Sequence, residues 1–136
     1  MQTKCVGCML ITPKDEVLLI RYNINNRKKG KDRGKWGNPG GKIEESDENH
    51  KETMIRELRE ETGIEYYTLN VIKMKNWLQC QGTIRIYSLL VKEIPEVSLS
   101  EEHDLYIKIN IKNLHKFDLT YSFKKAMEIY QSLNYY

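Results

Sequence analysis

The sequence predicts an α/β sandwich, a layer of strands flanked by two helices, and three observations lead there. Segments at 4–12, 17–22, 69–78, 82–91 and 105–111 are apolar or alternating and rich in β-branched and aromatic residues, as strands half-buried in a sheet are. Two others, 50–62 and 122–133, space their apolar residues three and four apart, as an amphipathic helix does. The chain of 136 residues is 40% hydrophobic, enough for one domain, residues 1–136, to bury a core without disulfides.

Each element has its own justification. Residues 4–12 and 17–22 flank the turn tripeptide Pro13-Lys14-Asp15 and read as a hairpin. In the helix at 50–62, Asn49 is the N-cap, with Glu52 three positions on completing a box-like start. Gly63 stands where a C′ glycine stops a helix, and Met54, Ile55, Leu58 and Thr62 supply the core-facing stripe. Residues 69–78 and 82–91 read as an antiparallel pair. In the second, Ile84, Ile86 and Ser88 alternate with Arg85, Tyr87 and Leu89. Residues 105–111 set Leu105, Ile107, Ile109 and Ile111 against Tyr106, Lys108 and Asn110. Phe123, Ala126, Met127, Ile129, Tyr130 and Leu133 give the last helix a face to pack on the sheet.

The chemistry concentrates in residues 40–64. At about 100° per residue, Glu57, Glu60 and Glu61 fall in one narrow sector of the helix. Such crowding of like charge is costly unless a cation sits in it. Hard oxygen donors on a rigid helix, leaving positions for water and phosphate, match what Mg²⁺ needs. A solvated face is the commoner meaning of Glu-x-x-Glu-Glu, and an i, i+4 pair of Glu52 with Arg56 would fit it. Here, however, the trio stands with Arg56, Gly63 and the Pro39-Gly40-Gly41 turn.

On these residues the chain resembles the Nudix, or MutT-like, hydrolases. Their box reads Gly, five residues, Glu, seven residues, Arg-Glu-apolar-x-Glu-Glu-x-Gly-apolar. Arg56, Glu57, Leu58, Glu60, Glu61, Gly63 and Ile64 match, and Glu48 stands seven residues before Arg56. Gly41 is separated from Glu48 by six residues, which puts one extra residue in the loop, between Glu45 and Asp47. Whether Asp47 or Glu48 takes the place of the first box glutamate stays open. Trp36-Gly37-Asn38-Pro39-Gly40-Gly41 is similar to the aromatic-x-x-Pro-Gly-Gly approach to the box. Glu102-His103-Asp104 and the strand after it resemble a late segment of many members.

The resemblance implies an α/β/α sandwich with a mixed sheet between helices. It implies metal-dependent hydrolysis of a pyrophosphate bond in a nucleoside diphosphate linked to another group. Mg²⁺, with Mn²⁺ as substitute, would be held by Glu57, Glu60, Glu61 and the carbonyl of Gly41 or Gly40. The general base would be Glu60 or Glu61, or else Glu101 or Glu102 from the distant loop. Arg56 would orient a box glutamate such as Glu48 or Glu57. The favoured substrate is a small free nucleotide, an unmodified or oxidised nucleoside triphosphate that yields nucleoside monophosphate and pyrophosphate. A 5′-end pyrophosphohydrolase of RNA and an inactive nucleotide-binding module are the alternatives, and a homodimer is left open.

Charge and cysteines complete the reading. Arg21, Arg27, Lys28, Lys29, Lys31, Arg33 and Lys35 share the stretch before the box with one acid, Asp32, and could recruit polyphosphate or RNA. Arg21, at a strand end, and Lys42 are the phosphate-contact candidates, with Glu102 a further substrate-side residue. Net charge of +3 is too modest to choose between small nucleotide and RNA. Trp36, Trp77, Tyr87 and Tyr106 could stack on a base, and Asn110, Asn113 and Asp118 could bond its edge. Cys5 and Cys8 have no second pair and, on a strand, face opposite sides; with Cys80 they make an odd count, against a disulfide framework or a zinc site. No stretch is long enough to span a bilayer and none reads as a signal peptide, so a reducing cytoplasmic location is expected.

Overall fold

Strands β1 (Cys5–Ile11) and β2 (Glu16–Tyr22) start as a hairpin and then part. The turn is closed by Asp15 in the left-handed region, φ 64°, and by Thr12 N–H donating to Glu16 O at 2.9 Å. Ile11 opposite Val17 is the register of the pair. Beyond it, β6 (Ile84–Val91) runs parallel along the whole of β1, and β7 (His103–Asn110) antiparallel along β2. The sides that β1 and β2 turn toward each other are therefore left for two short strands. In the fork, β3 (Trp36–Gly37) pairs with β2 and β4 (Gly40–Lys42) with β1. Gly7 is required at this wedge, since a Cβ there would lie 2.5 Å from both Pro39 O and Asn38 Nδ2.

The computed structural model describes residues 2–25, 30 and 32–133, with 75–81 as backbone alone. Strand β5 (Val71–Gln81) pairs antiparallel with β6 and completes a seven-stranded mixed sheet. Helix α1 (His50–Thr62) covers one face and helix α2 (Tyr121–Leu133) the other, so the sandwich and mixed sheet expected from the sequence are observed. No described helix is long and apolar enough to cross a membrane.

The period of two along each strand sorts the core. Val6, Cys8, Leu10, Leu18 and Ile20 meet Met54, Ile55 and Leu58 on the α1 side. Met9, Ile11, Val17 and Leu19 meet Phe123, Ala126 and Met127 on the α2 side. Met54, Leu58 and Phe123 are fully buried, and each such side chain contributes about 1.5–3 kcal/mol. Cys5 and Cys8 face opposite sides as expected; Cys8 lies in the α1 core, where burial pushes its thiol up. Cys80 lies outside the described side chains.

The alternation expected from Leu105 onward is kept against β2, and β7 is irregular only at its start. Residues 17–21 of β2 pair one for one with 109 back to 105, and then Tyr22 pairs with His103. Asp104 is thus an extra residue, a one-residue bulge.

Candidate metal and phosphate site

Helix α1 aims the carboxylates because its ends are fixed. Asn49 Oδ1 accepts from Glu52 N–H at 2.9 Å, and Gly63 N–H donates to Arg59 O at 2.8 Å. With the helix phase set, Glu57 and Glu61, one turn apart, point inward and are 9% and 3% exposed. Glu60 points outward, its side chain 51% exposed. The expected trio is therefore two inward carboxylates and one at the rim.

Strand β4 brings backbone to the inward pair. Gly40 N–H donates to Glu61 Oε1 at 2.8 Å. A Cβ on Gly41 would stand 2.5–2.7 Å from the three carboxylate atoms of Glu57, so only glycine allows this approach. Burial raises the Glu57 carboxyl, with Arg56 opposing. Glu61 is pushed up to about 9, first by burial, then by the charges of Glu57 and Glu102, against the Gly40 N–H. Two acidic groups that burial alone makes costly, set against a glycine backbone, are a donor set that a hard divalent cation fits.

Arg56 knits the rim. Its Nε and Nη2 donate to the two oxygens of Asp47 at 3.0 and 2.9 Å, and Nη2 also donates to Lys42 O at 2.9 Å. Nη1 reaches Glu57 Oε1 at 2.9 Å and Glu60 Oε2 at 3.1 Å. The guanidinium holds Asp47 well below the usual carboxylate range, helped by Glu44 N–H and Thr53 Oγ1. Of the two glutamates expected to be held by Arg56, Glu57 is bonded and Glu48 is not. At the position left open between Asp47 and Glu48 it is Asp47 that meets the guanidinium, and Glu48 is exposed. Asp47 stands six positions after Gly41, as the first box glutamate would, so the extra loop residue follows Asp47 rather than preceding it. The Glu44–Asp47 turn, closed by Asp47 N–H to Glu44 O at 3.0 Å, is what keeps that spacing.

Among the described residues, the set whose ligand atoms converge within 4.8 Å is Glu61, Glu102 and His103, not the trio on α1. Glu57 and Glu60 are instead drawn to Arg56. His103 stands in the Glu102-His103-Asp104 segment but is not a site residue expected from the sequence; in unbroken pairing it would share the face of Leu105, and the bulge reverses that. Its ring stacks on Tyr22, centroids 4.9 Å apart.

Arg21 is a second correction. Its position shares the parity of Val17 and Leu19, so it lies on the α2 side of the sheet, away from the carboxylates. There Nε and Nη2 bond both oxygens of Asp104 at 2.8 and 2.9 Å, and the guanidinium lies 5.9 Å from the Trp36 ring centroid. Lys42 is exposed at the cleft rim, and Glu102 lines the cleft with it.

The cleft measures about 780 Å³, within the range of nucleotide-sized pockets. Gly40, Gly41 and the carboxylates of α1 form one wall; Ile84, Ile86, Thr120, Tyr121 and Ser122 form the other. Of the aromatic candidates named from sequence, Trp36, Tyr87 and Tyr106 are not in that lining. Trp36 packs edge-on against Phe117, Tyr87 is buried beneath α1, and Tyr106 lies on the edge strand β7. Trp77 falls outside the described side chains. Nor do Asn110, Asn113 and Asp118 reach the cleft; Asn110 instead caps the turn that follows β7, accepting from Lys112 N–H at 3.0 Å. Arg27, Lys28, Lys29 and Lys31 lie outside the described residues. Tyr121, which no sequence motif flagged, is the exposed aromatic at the cleft wall.

A family model described as the NUDIX domain matches residues 1–116. The phosphatase NudJ of Escherichia coli (strain K12) is 28% identical over 99 residues, 73% of this chain and 60% of that protein. The chain thus spans three-fifths of the length of such curated relatives. The MutT protein from Methanosarcina mazei Go1 has a crystal structure that superposes with a TM-score of 0.68 at 29% identity, covering 98% of this chain and 96% of that one. An Ap4A hydrolase from C. elegans shares the fold, with a TM-score of 0.67 at 20% identity over 98% of this chain and all of the other.

Proposed function

The chain belongs to the NUDIX domain family, and from that premise we propose that it is a divalent-metal-dependent pyrophosphohydrolase of nucleoside triphosphates, unmodified or oxidised. The products are nucleoside monophosphate and pyrophosphate. The observation that carries the reading is the inward pair Glu57 and Glu61, set against Gly40 and Gly41 at the edge of a nucleotide-sized cleft. The likeness to the phosphatase NudJ and the 29% identity to a MutT protein support phosphate chemistry over plain binding.

Each residue has a part that its surroundings support. Glu57, Glu60, Glu61 and the Gly41 carbonyl would hold the cation, Mg²⁺ by the hardness of the donors, with Mn²⁺ in its place. When bound, that ion supplies charge neutralisation on the phosphate oxygens and a more acidic water. Arg56 keeps Glu57 and Glu60 at fixed separation, and Asp47 keeps Arg56 in one orientation through its two-pronged bond. Glu60 and Glu102 reach the cleft from its open side, and each can take the proton of the attacking water. Lys42 at the rim adds positive charge for the polyphosphate. A cytoplasmic location belongs to the same reading, in keeping with free Cys5 and Cys8.

The test is product identification across nucleoside triphosphates, oxidised triphosphates, dinucleoside polyphosphates, ADP-ribose, nucleotide sugars and a short capped RNA. Release of monophosphate and pyrophosphate from triphosphates, abolished by a chelator and restored by Mg²⁺, is the expected result. Turnover confined to capped RNA would replace the substrate class. Tight nucleotide binding with no turnover of any compound would sink the hydrolase reading.

A further inference from the structure

The bulge at Asp104 has a chemical effect beyond strand geometry. In unbroken register His103 would share the face of Leu105 and Ile107, toward α2. Instead Tyr22 pairs with His103, and cross-strand partners share a face, so the imidazole turns to the α1 side. That is the side to which Glu61 descends from the last turn of α1. Bulges re-aim side chains next to functional sites, and this one delivers a nitrogen donor into a group of carboxylates.

The delivery is held firmly. His103 is 4% exposed, and its ring lies on Tyr22 with planes 27° apart. Asp104, displaced by the same bulge, is locked by Arg21 and by Ile24 N–H at 3.3 Å, which anchors the backbone on the far side of His103. The ligand atoms of Glu61, Glu102 and His103 already lie within 4.8 Å of one another. An octahedral ion with bonds of about 2.1 Å spans about 4.2 Å between opposite ligands, so small side-chain rotations close the set.

We propose that His103 is a nitrogen donor to a divalent cation shared with Glu61 and Glu102. Mg²⁺ prefers an all-oxygen shell, whereas an imidazole favours first-row transition ions. The site therefore discriminates in favour of Mn²⁺ and its heavier neighbours over Mg²⁺. This rests on the metal-dependent reading above, and adds to it a ligand of different chemistry and a metal preference.

The experiment uses the full chain with Mn²⁺ alone, without nucleotide. Electron spin-echo modulation of the bound Mn²⁺ should show coupling to an imidazole ¹⁴N, and His103→Gln should abolish it. Loss of outer partners costs about 10–100-fold in metal affinity, so loss of a direct donor should weaken Mn²⁺ by at least about tenfold. Mg²⁺, titrated in competition, should weaken less. Bound Mn²⁺ with no nitrogen coupling in the unaltered protein would overturn the proposal and leave the metal-dependent hydrolase intact. No binding of Mn²⁺ at all would overturn both. Because the spectrum of the unaltered chain decides the question, a variant that fails to fold does not rescue the idea.

Discussion

Arg56 and Arg21 are each gripped by an aspartate through two parallel hydrogen bonds, at 3.0 and 2.9 Å to Asp47 and at 2.8 and 2.9 Å to Asp104. Taken alone the two forks are nearly the same object. Their surroundings differ. Arg56 spends its remaining N–H groups on Lys42 O, Glu57 and Glu60, so its aspartate indirectly positions two box glutamates. Arg21 spends its remaining surface on the Trp36 ring and ties β2 to the bulge in β7. One fork aims the groups proposed for catalysis; the other holds a strand irregularity in place. A bidentate ion pair therefore marks a rigid place in the fold, and its further partners decide whether the rigidity serves chemistry.

The comparison can be broken most sharply at the carboxylate that Arg56 holds. Glu57→Gln should lower kcat by on the order of 10³, comparable to removal of a key electrostatic group, with the melting temperature little changed. Steady-state kinetics beside a thermal melt checks it, and near-normal turnover would detach Arg56 from the chemistry. Arg56→Lys, which keeps the charge and loses the fork, should lower kcat/KM by about 10²-fold. Arg21→Lys should leave kcat within about threefold, at a cost near 1 kcal/mol in stability. Equal kinetic losses in the two lysine variants would erase the distinction drawn above.

Stability sharpens it further. Asp47→Ala removes the two-pronged partner of Arg56, which keeps Glu57 and Glu60, and should cost about 2 kcal/mol by urea unfolding, whereas Glu48→Ala should stay within about 0.5 kcal/mol. Deleting Ser46 breaks the Glu44–Asp47 turn and should be as damaging as Asp47→Ala; deleting Glu48, beyond the turn, should be tolerated. The smallest effect is the pH dependence. Asp47 and Asp104 both titrate below their usual value in the folded state, each chiefly through its arginine. The unfolded chain binds those protons more readily, so their contribution is complete above roughly pH 4 and is lost as pH falls below it. Asp47→Asn should flatten the acid limb of a stability–pH curve more than Asp104→Asn. The reverse order would mean that the Arg21 fork is the stronger one.

Much of this molecule was legible in its sequence because the relevant rules are local. Asn49 and Gly63 bound α1 to the residue, as cap chemistry requires. Glu57, Glu60 and Glu61 occupy one helix sector because 100° per residue leaves no alternative, and the Pro39-Gly40-Gly41 turn arrives beside them as the motif implied. Alternation sorted Ile86 from Tyr87 and Cys5 from Cys8 onto opposite faces without any knowledge of the partner strands.

What local rules could not reach depends on register between distant strands. The hairpin read from residues 4–22 opens into a fork because β6 and β7 claim the outer sides of β1 and β2. Arg21, a reasonable phosphate ligand by charge and position, faces the wrong side of the sheet by one residue of parity. Asp47 displaces Glu48 because the Glu44–Asp47 turn, and not the count back from the helix, sets which carboxylate meets Arg56. His103 enters the site through a single extra residue in β7. Residue types, helix ends and the chemistry of the box are properties of short segments, so the sequence by itself determined them. The side a strand residue faces reverses with every one-residue shift in pairing, so only the tertiary structure decided which of those groups meet.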